Sequence, residues 1–208
     1  MSFCLFLELA SSELPALGAM PGLEAALMHT AASAHDPYLN DGASPPLVLQ
    51  LYFASLPELE HAAAHARWPE GIVNHEAMLV RSYSPAHSKK DEPWCTYLVR
   101  YEGPAEDPQA WLGHYLAHHP PLMLRLPGIR ELEIYTAIDW IGALPGKRLR
   151  SLQRNKVAFD SAEALNAALD SPERRAMRAD FAQLPPFSGR VLHFPMQTRR
   201  IPGIPGLS

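Results

Sequence analysis

Leu126-Pro127-Gly128-Ile129-Arg130-Glu131-Leu132-Glu133-Ile134-Tyr135-Thr136-Ala137 can be laid over Met20-Pro21-Gly22-Leu23-Glu24-Ala25-Ala26-Leu27-Met28-His29-Thr30-Ala31 at an offset of 106 positions (126 − 20). Further along, Phe159-Asp160-Ser161 lies over Phe53-Ala54-Ser55 at the same offset (159 − 53). Two separated blocks sharing one offset point to an internal repeat. The repeat decides the conformation of its first copy. Ala, Leu and Met favour a helix over 22–34. The second copy, 129–138, alternates and carries β-branched and aromatic residues, the habit of a strand. Residues 23–31 are therefore read as strand, with tertiary pairing overriding the preference of alanine.

Each half then reads alike. Strands are expected at 3–10, 23–31, 47–53 and 76–83 in the first half, and at 95–101, 129–138, 152–159 and 189–195 in the second. Ser55 and Ser161 are suited to N-cap a helix after each third strand. In the second half that helix covers 162–183, with Pro172 breaking or kinking it. The order βαββαβ predicts an α+β fold of two tandem ferredoxin-like repeats, each an antiparallel sheet with helices on one face. The expected units are residues 1–84 and 94–196, joined by a polar, proline-bearing linker over 84–94. A tail over 197–208, with proline and glycine, is expected to be extended or disordered. The halves differ between first strand and Pro-Gly turn. The second half has 104–126 there and the first has only about 11–20, so the first lacks most of one helix.

The 208 residues are 47% apolar, enough for a substantial core, and carry a net charge of −4 with acids and bases interspersed. No stretch has the basic footprint of a nucleic-acid binder. The longest apolar runs, such as Phe3–Leu7 and Leu47–Phe53, are strand-length rather than membrane-spanning. No Lys or Arg precedes the first run and Glu8 interrupts it, which argues against a signal peptide. Cys4 and Cys95 sit in apolar runs and read as buried, reduced thiols. Together these features suggest a cytoplasmic protein.

Asp107-Pro108 supplies an N-cap and a first-turn proline for a helix that continues Gln109-Ala110-Trp111-Leu112-Gly113-His114-Tyr115-Leu116-Ala117-His118-His119. At 100° per residue, Trp111, Leu112, Tyr115, Leu116 and His119 share a face, His118 lies at its edge and His114 on the wetter side. Pro120-Pro121 then disturbs the helix by removing two donors and crowding the carbonyls of Leu116 and Ala117. Residue types alone favour a core histidine bonded to a backbone carbonyl, with a general acid/base or substrate-binding His119 as the second reading. His114 and His118 have the i, i+4 spacing of a metal pair, but neither the neighbouring Glu nor a third ligand is evident, so no metal is expected. There is no Gly-x-Ser-x-Gly, phosphate-cradling glycine loop or Cys-x-x-Cys.

The run Trp111-x-x-x-Tyr115-x-x-x-His119-Pro120-Pro121-Leu122-x-x-x-Leu126-Pro127-Gly128 resembles the EthD-type branch of the dimeric α/β-barrel superfamily, whose members carry His-Ala-Pro-Leu in the first helix and a Leu-Pro-Gly turn after it. Val157-Ala158-Phe159-Asp160-Ser161-x-Glu163-Ala164-Leu165, with Ser171-Pro172-Glu173 downstream, resembles the family's third strand and second helix. The likeness covers roughly 95–196 and reaches 3–83 only through the repeat. Pro120 replaces the usual alanine, which implies an early helix end and a shifted His119. The first half has no counterpart of His119, so a site built on it is single. The resemblance implies an intrachain dimeric α/β-barrel, a pseudo-dimer that could pair further into a homodimer.

Related barrels include cofactor-free monooxygenases, lactone isomerases, cyclases, dehydratases and haem-degrading enzymes, and fold likeness alone does not choose among them. The expectation is a cofactor-independent enzyme acting by proton transfer on a small hydrophobic, oxygenated or aromatic molecule. His119 would be the acid/base and Tyr115 would orient it or the substrate. Trp111, Tyr97, Arg100, Tyr135, Lys156 (or Asn155) and His118 are candidate substrate-binding residues; strand alternation allows only one of each adjacent pair. The alternatives are a non-catalytic binding or accessory protein of a degradation pathway, and a haem-binding barrel using His119 or His118.

Overall fold

The computed structural model describes residues 2–34, 36, 43–83 and 93–202. Its elements in chain order are β1 (Ser2–Leu9), β2 (Leu23–Ala31), β3 (Leu47–Phe53), α1 (Leu56–His65), β4 (Ile72–Ser82), β5 (Trp94–Glu102), α2 (Pro108–Met123), β6 (Glu131–Ala137), β7 (Lys147–Arg148), β8 (Gln153–Phe159), α3 (Ala162–Leu169), α4 (Pro172–Phe181) and β9 (Arg190–Arg200).

Eight strands close into an antiparallel barrel in the order β1-β3-β2-β9-β5-β8-β6-β4, with β4 returning to β1. The two-residue β7 lies parallel to the start of β4. β1 to β4 stand together in the order β4-β1-β3-β2, and the later strands in the order β9-β5-β8-β6. The seams between the two sets are β2 against β9 and β4 against β6. Closure pairs every edge of the eight strands, which removes the exposed ladder groups that invite aggregation.

Register agrees between positions 106 apart in the sequence. Ala26 stands opposite Leu51, and Leu132 stands opposite Val157, each residue of the second pair 106 positions beyond its counterpart (132 − 26, 157 − 51). Residues 23–31 are strand despite their helix-favouring composition. Their backbone groups pair on both sides, with β3 and β9, which outweighs an intrinsic preference of a few tenths of a kcal/mol per residue.

Ser55 caps α1 as half of a reciprocal capping box with Glu58, and Ser161 caps α3. The segment expected as one helix over 162–183 is two, α3 and α4, with Ser171 capping and Pro172 opening the second. Residues 11–20 hold no helix.

Two expectations are corrected. α2 does not stop at Pro120-Pro121 but runs on to Met123, because Pro120 still accepts from the Leu124 backbone N–H at 3.0 Å and closes the last turn. β9 extends to Arg200, so residues 197–200, expected in the tail, are strand paired with β2. Most of the linker expected over 84–94 and the last six residues of the tail lie outside the described residues.

Side chains form three apolar layers. One lines the lumen and includes Phe6, Met78, Leu98, Tyr135 and Met196. A second lies between the first four strands and α1. A third lies between the β5–β8–β6–β9 strands and α2, α3 and α4. The two outer layers exchange loops: Ile138, Trp140 and Leu144 pack on the first set of strands, and Ala34 packs on the second. Among the described residues no helix is long and apolar enough to cross a membrane. Cys4 and Cys95 are buried and unbridged, and burial pushes the Cys95 thiol up to about 12.

Candidate functional site

Asp107 starts α2, its Oδ1 accepting from the backbone N–H groups of Gln109 and Ala110 at 2.9 Å. From there Trp111, Tyr115, His119 and Met123, spaced four apart, face the sheet and are buried. Three of them stack along the helix. The Trp111 and Tyr115 rings are 5.2 Å apart and 14° from parallel, and those of Tyr115 and His119 are 4.7 Å apart.

His119, 4% exposed, meets Asp180 of α4, with Nδ1 2.7 Å from Oδ2. A carboxylate oxygen accepts, so Nδ1 carries the proton and Nε2 keeps its lone pair. Burial pulls the imidazole below its ordinary value; the bond and charge of Asp180 oppose this and do not prevail. Near neutral pH the ring is therefore an uncharged base whose tautomer is set by a carboxylate, the arrangement in which a histidine accepts a proton at Nε2.

His119 lines a cavity of about 40 Å³, together with Tyr97, Asn155, Arg174, Met177 and His193. This is room for one water, or two at most, and far below the volume of a typical ligand pocket. Two polar atoms of its wall residues are buried without a partner: Asn155 Oδ1, an acceptor, and Arg174 Nε, a donor. Buried polar groups left unpaired cost about 1–3 kcal/mol each, so two in one small wall call for a polar occupant.

Tyr97 and Arg174 also reach outward to a single carboxylate. Asp36, 5% exposed, accepts at Oδ2 from Tyr97 Oη at 2.6 Å and from Arg174 Nη2 at 3.1 Å. Asp36 follows β2, so a residue from beyond the opposite set of strands pairs with two residues of this wall.

The eight residues expected to share a site are divided among three places. His119, Tyr115, Trp111 and Tyr97 stand in the layer between sheet and helices. Tyr115 accepts from Asn155 Nδ2 at 2.9 Å and lies 3.7 Å from Met123 Sδ, so its hydroxyl is held by the wall rather than by His119. Arg100, Tyr135 and Lys156 are on the lumen side of the strands. Lys156 Nζ is 2.7 Å from Glu133 and 3.0 Å from Glu131, and accompanies Tyr52 Oη at 2.8 Å. Burial alone would lower that ammonium; the two carboxylates outweigh it and raise it. Tyr135 donates to Glu133 at 2.6 Å and accepts from Gln50 at 2.6 Å. Arg100 pairs with Glu8 and with Glu102 at 2.8 Å. His118 is exposed on the outer side of α2, its ring 4.4 Å from that of His114. Among the described residues no group of three or more His, Cys, Asp or Glu side chains is placed to hold a metal ion.

Asp180, Arg174 and Asp36 were not among the expected site residues. A signal for one was present. On α4, Arg174 shares a face with Met177 and Phe181 at i+3 and i+7, a cation in a core position of an otherwise charged helix.

No family model matches the chain and no curated protein matches it significantly. Solved structures do. An anthrone oxidase-like protein aligns over 100% of this chain and 96% of its own length, with 15% identity and a TM-score of 0.59. A monooxygenase-described protein from Lactobacillus acidophilus covers 96% of this chain and 98% of itself, with 10% identity and a TM-score of 0.50. An ethyl tert-butyl ether (EthD) family protein from Bacillus halodurans matches 48% of this chain and 96% of itself at 24% identity, with a TM-score of 0.38. At these identities the likeness is one of fold: the chain shares the fold of the anthrone oxidase-like protein and of the monooxygenase-described protein.

Proposed function

We propose that this chain is a cofactor-independent proton-transfer enzyme for a small hydrophobic, oxygenated molecule, with His119 as the base and Asp180 holding its tautomer. The strand order and the matching registers favour the finer reading of the fold, two tandem ferredoxin-like repeats acting as a pseudo-dimer. A cytoplasmic location and further pairing of pseudo-dimers belong to the same proposal.

The observation that carries the reading is the His119–Asp180 pair on the wall of a cavity with an unsatisfied acceptor and an unsatisfied donor. In the step envisaged, His119 Nε2 takes a proton from a carbon acidified by a carbonyl, either next to it or conjugated with it across a ring. The C–H electron pair moves to the carbonyl oxygen, and Arg174 Nε–H is the donor available to that oxygen. Return of the proton at another atom isomerises the molecule, and loss of a β-hydroxyl as water dehydrates it.

The anthrone oxidase-like neighbour suggests a probe, whose three-ring body is much larger than the 40 Å³ now open, so the wall side chains must move apart to admit it. Anthrone loses a proton at the carbon opposite its carbonyl, and exchange of that hydrogen for deuterium in heavy water can be followed by NMR under argon. Wild-type protein is expected to speed the exchange above buffer, and His119→Gln to return it to the buffer rate. A wild-type rate equal to buffer, or an unimpaired His119→Gln, overturns the proposal. Anthrone binding, seen as chemical-shift changes, without exchange would instead support the second reading, a non-catalytic binding protein.

A further inference from the structure

We infer that Arg174 and Tyr97 form a subsite for a carboxylate or phenolate oxygen, and that Asp36 occupies it from within the chain. The inference rests on the site reading above, because both donors line the His119 cavity.

Arg174 is 8% exposed, yet its guanidinium is only partly engaged: Nη2 donates to Asp36 at 3.1 Å and the buried Nε has no partner. A guanidinium presents a fork matched to two oxygens, and here one carboxylate oxygen, Asp36 Oδ2, takes both Arg174 Nη2 and Tyr97 Oη. A pair evolved for fold stability alone would use the fork fully, since a buried unpaired donor costs about 1–3 kcal/mol. The lining adds an apolar body to this charged end, with Val99, Met123, Leu126, Val157, Leu165 and Met177. An apolar cavity with one cation at its side suits a hydrophobic acid: a flat aromatic or alicyclic body with one anionic oxygen group. Asp36 is the acid present in the structure. A ligand's anionic oxygen would replace it on Tyr97 and Arg174, and the wall side chains around the 40 Å³ now open would move apart to admit the ligand's body.

The test uses 1-naphthoate as probe and 1-naphthalenemethanol as its uncharged control, with binding followed by calorimetry and by NMR. In full-length Asp36→Ala, naphthoate affinity is expected to rise at least tenfold over wild type, and the alcohol's affinity to rise much less. Adding Arg174→Gln to Asp36→Ala should remove the naphthoate gain and leave alcohol binding as it was. Should Asp36→Ala fold poorly, Asp36→Asn keeps hydrogen-bonding capacity, removes the competing charge and should still gain at least threefold for naphthoate. The inference falls if naphthoate and the alcohol gain equally, if neither gains, or if Arg174→Gln makes no difference. Naphthoate binding and anthrone exchange are both measured on the same Asp36→Ala protein. Naphthoate binding without anthrone exchange therefore removes the catalytic reading alone, and exchange without naphthoate selectivity removes the subsite alone.

Discussion

The two outer layers of the barrel have the same frame and opposite linings. In the first set of strands the pairs facing the helix side are Leu5 with Leu51, Leu7 with Leu49 and Leu9 with Leu47. In the second set they are Tyr97 with Val157, Val99 with Asn155 and Tyr101 with Gln153. One wall is six leucines. The other keeps two aromatic hydroxyls and two amides among hydrocarbon. The covers differ too. The leucine wall lies under α1 and the borrowed Trp140, where no helix precedes β2. The polar wall lies under α2, which brings His119. A barrel that needs only stability can fill such a layer with leucine. The polar wall accepts unpaired groups instead, and local departures from good packing mark functional places.

The sharpest way to break this comparison is at the imidazole. His119→Gln is expected to lower anthrone exchange by about 100- to 10,000-fold, the usual range for removing a general base. Asp180→Asn should also lower the rate, since an amide can donate to Nδ1 and move the proton to Nε2. The pH profile adds a sign. The exchange rate should fall with acidification through a midpoint below the ordinary histidine value of about 6.5, because burial lowers His119. Asp180 raises that midpoint, so Asp180→Asn should move it lower still. A midpoint above 6.5 in the wild type would contradict the buried, neutral base.

The next test belongs to the leucine wall. Trp140→Ala should cost about 3 kcal/mol of stability in chemical denaturation, in line with removal of a large buried aromatic, and leave anthrone exchange unchanged. Arg148 stacks on this indole at 3.9 Å and donates to the carbonyls of Trp140 and Gly142, so some of the loss will come from a loosened loop. A loss of exchange would mean that the two layers are not independent.

Much of this division could be read from the residues, and the rest could not for a physical reason. The strand at 23–31 was recoverable because the stretch 129–138, which lies over it at an offset of 106, alternates where it does not. His119 was recoverable because helical periodicity fixes which side of α2 it occupies. Its partner was not: Asp180 stands 61 residues further along, on a helix whose direction depends on the break between Leu169 and Pro172. The misplaced candidates have a different cause. Strand alternation separates Tyr97 from Arg100, and Asn155 from Lys156, but says nothing about which parity faces the helices. In an open sheet the polar parity would face water. Here both faces of β5 and β8 are covered, Trp94–Tyr101 and Gln153–Phe159 being buried throughout, so the pattern carries no sign.

The lumen offers a smaller contrast at one register position. His29 of β2 stands opposite Val48, and Tyr135 of β6 opposite Arg154, positions again 106 apart. His29 is fully buried between Thr198 at 2.7 Å and Gln50 at 3.1 Å, and burial, aided by the charge of Lys156, lowers it to about 3. The unfolded chain binds a proton at His29 below about pH 6.5, and the folded chain does not until near pH 3. Stability is thus fully present above pH 6.5 and falls as pH drops toward 3, by about 1.4 kcal/mol per pH unit from this residue. His29→Gln should flatten that limb in urea titrations between pH 6 and 4. Tyr135→Phe should leave its slope unchanged.

Asn155→Leu makes the polar wall match Leu49, its counterpart in the other layer, and should have the smallest effect on stability. It deletes the Asn155 Nδ2 bond to Tyr115 Oη, a loss of about 1 kcal/mol. It also removes the buried, unpartnered Oδ1, whose relief is worth a similar or larger amount, and places hydrocarbon beside a cavity with 40 Å³ to spare. The melting profile should therefore stay within about 1 kcal/mol of wild type, while anthrone exchange falls at least tenfold as the polar lining is lost. Destabilisation beyond about 2 kcal/mol would mean that Asn155 is bonded better than its open acceptor indicates. Unchanged exchange would mean that the amide belongs to the packing of Tyr115, and that His119 works without it.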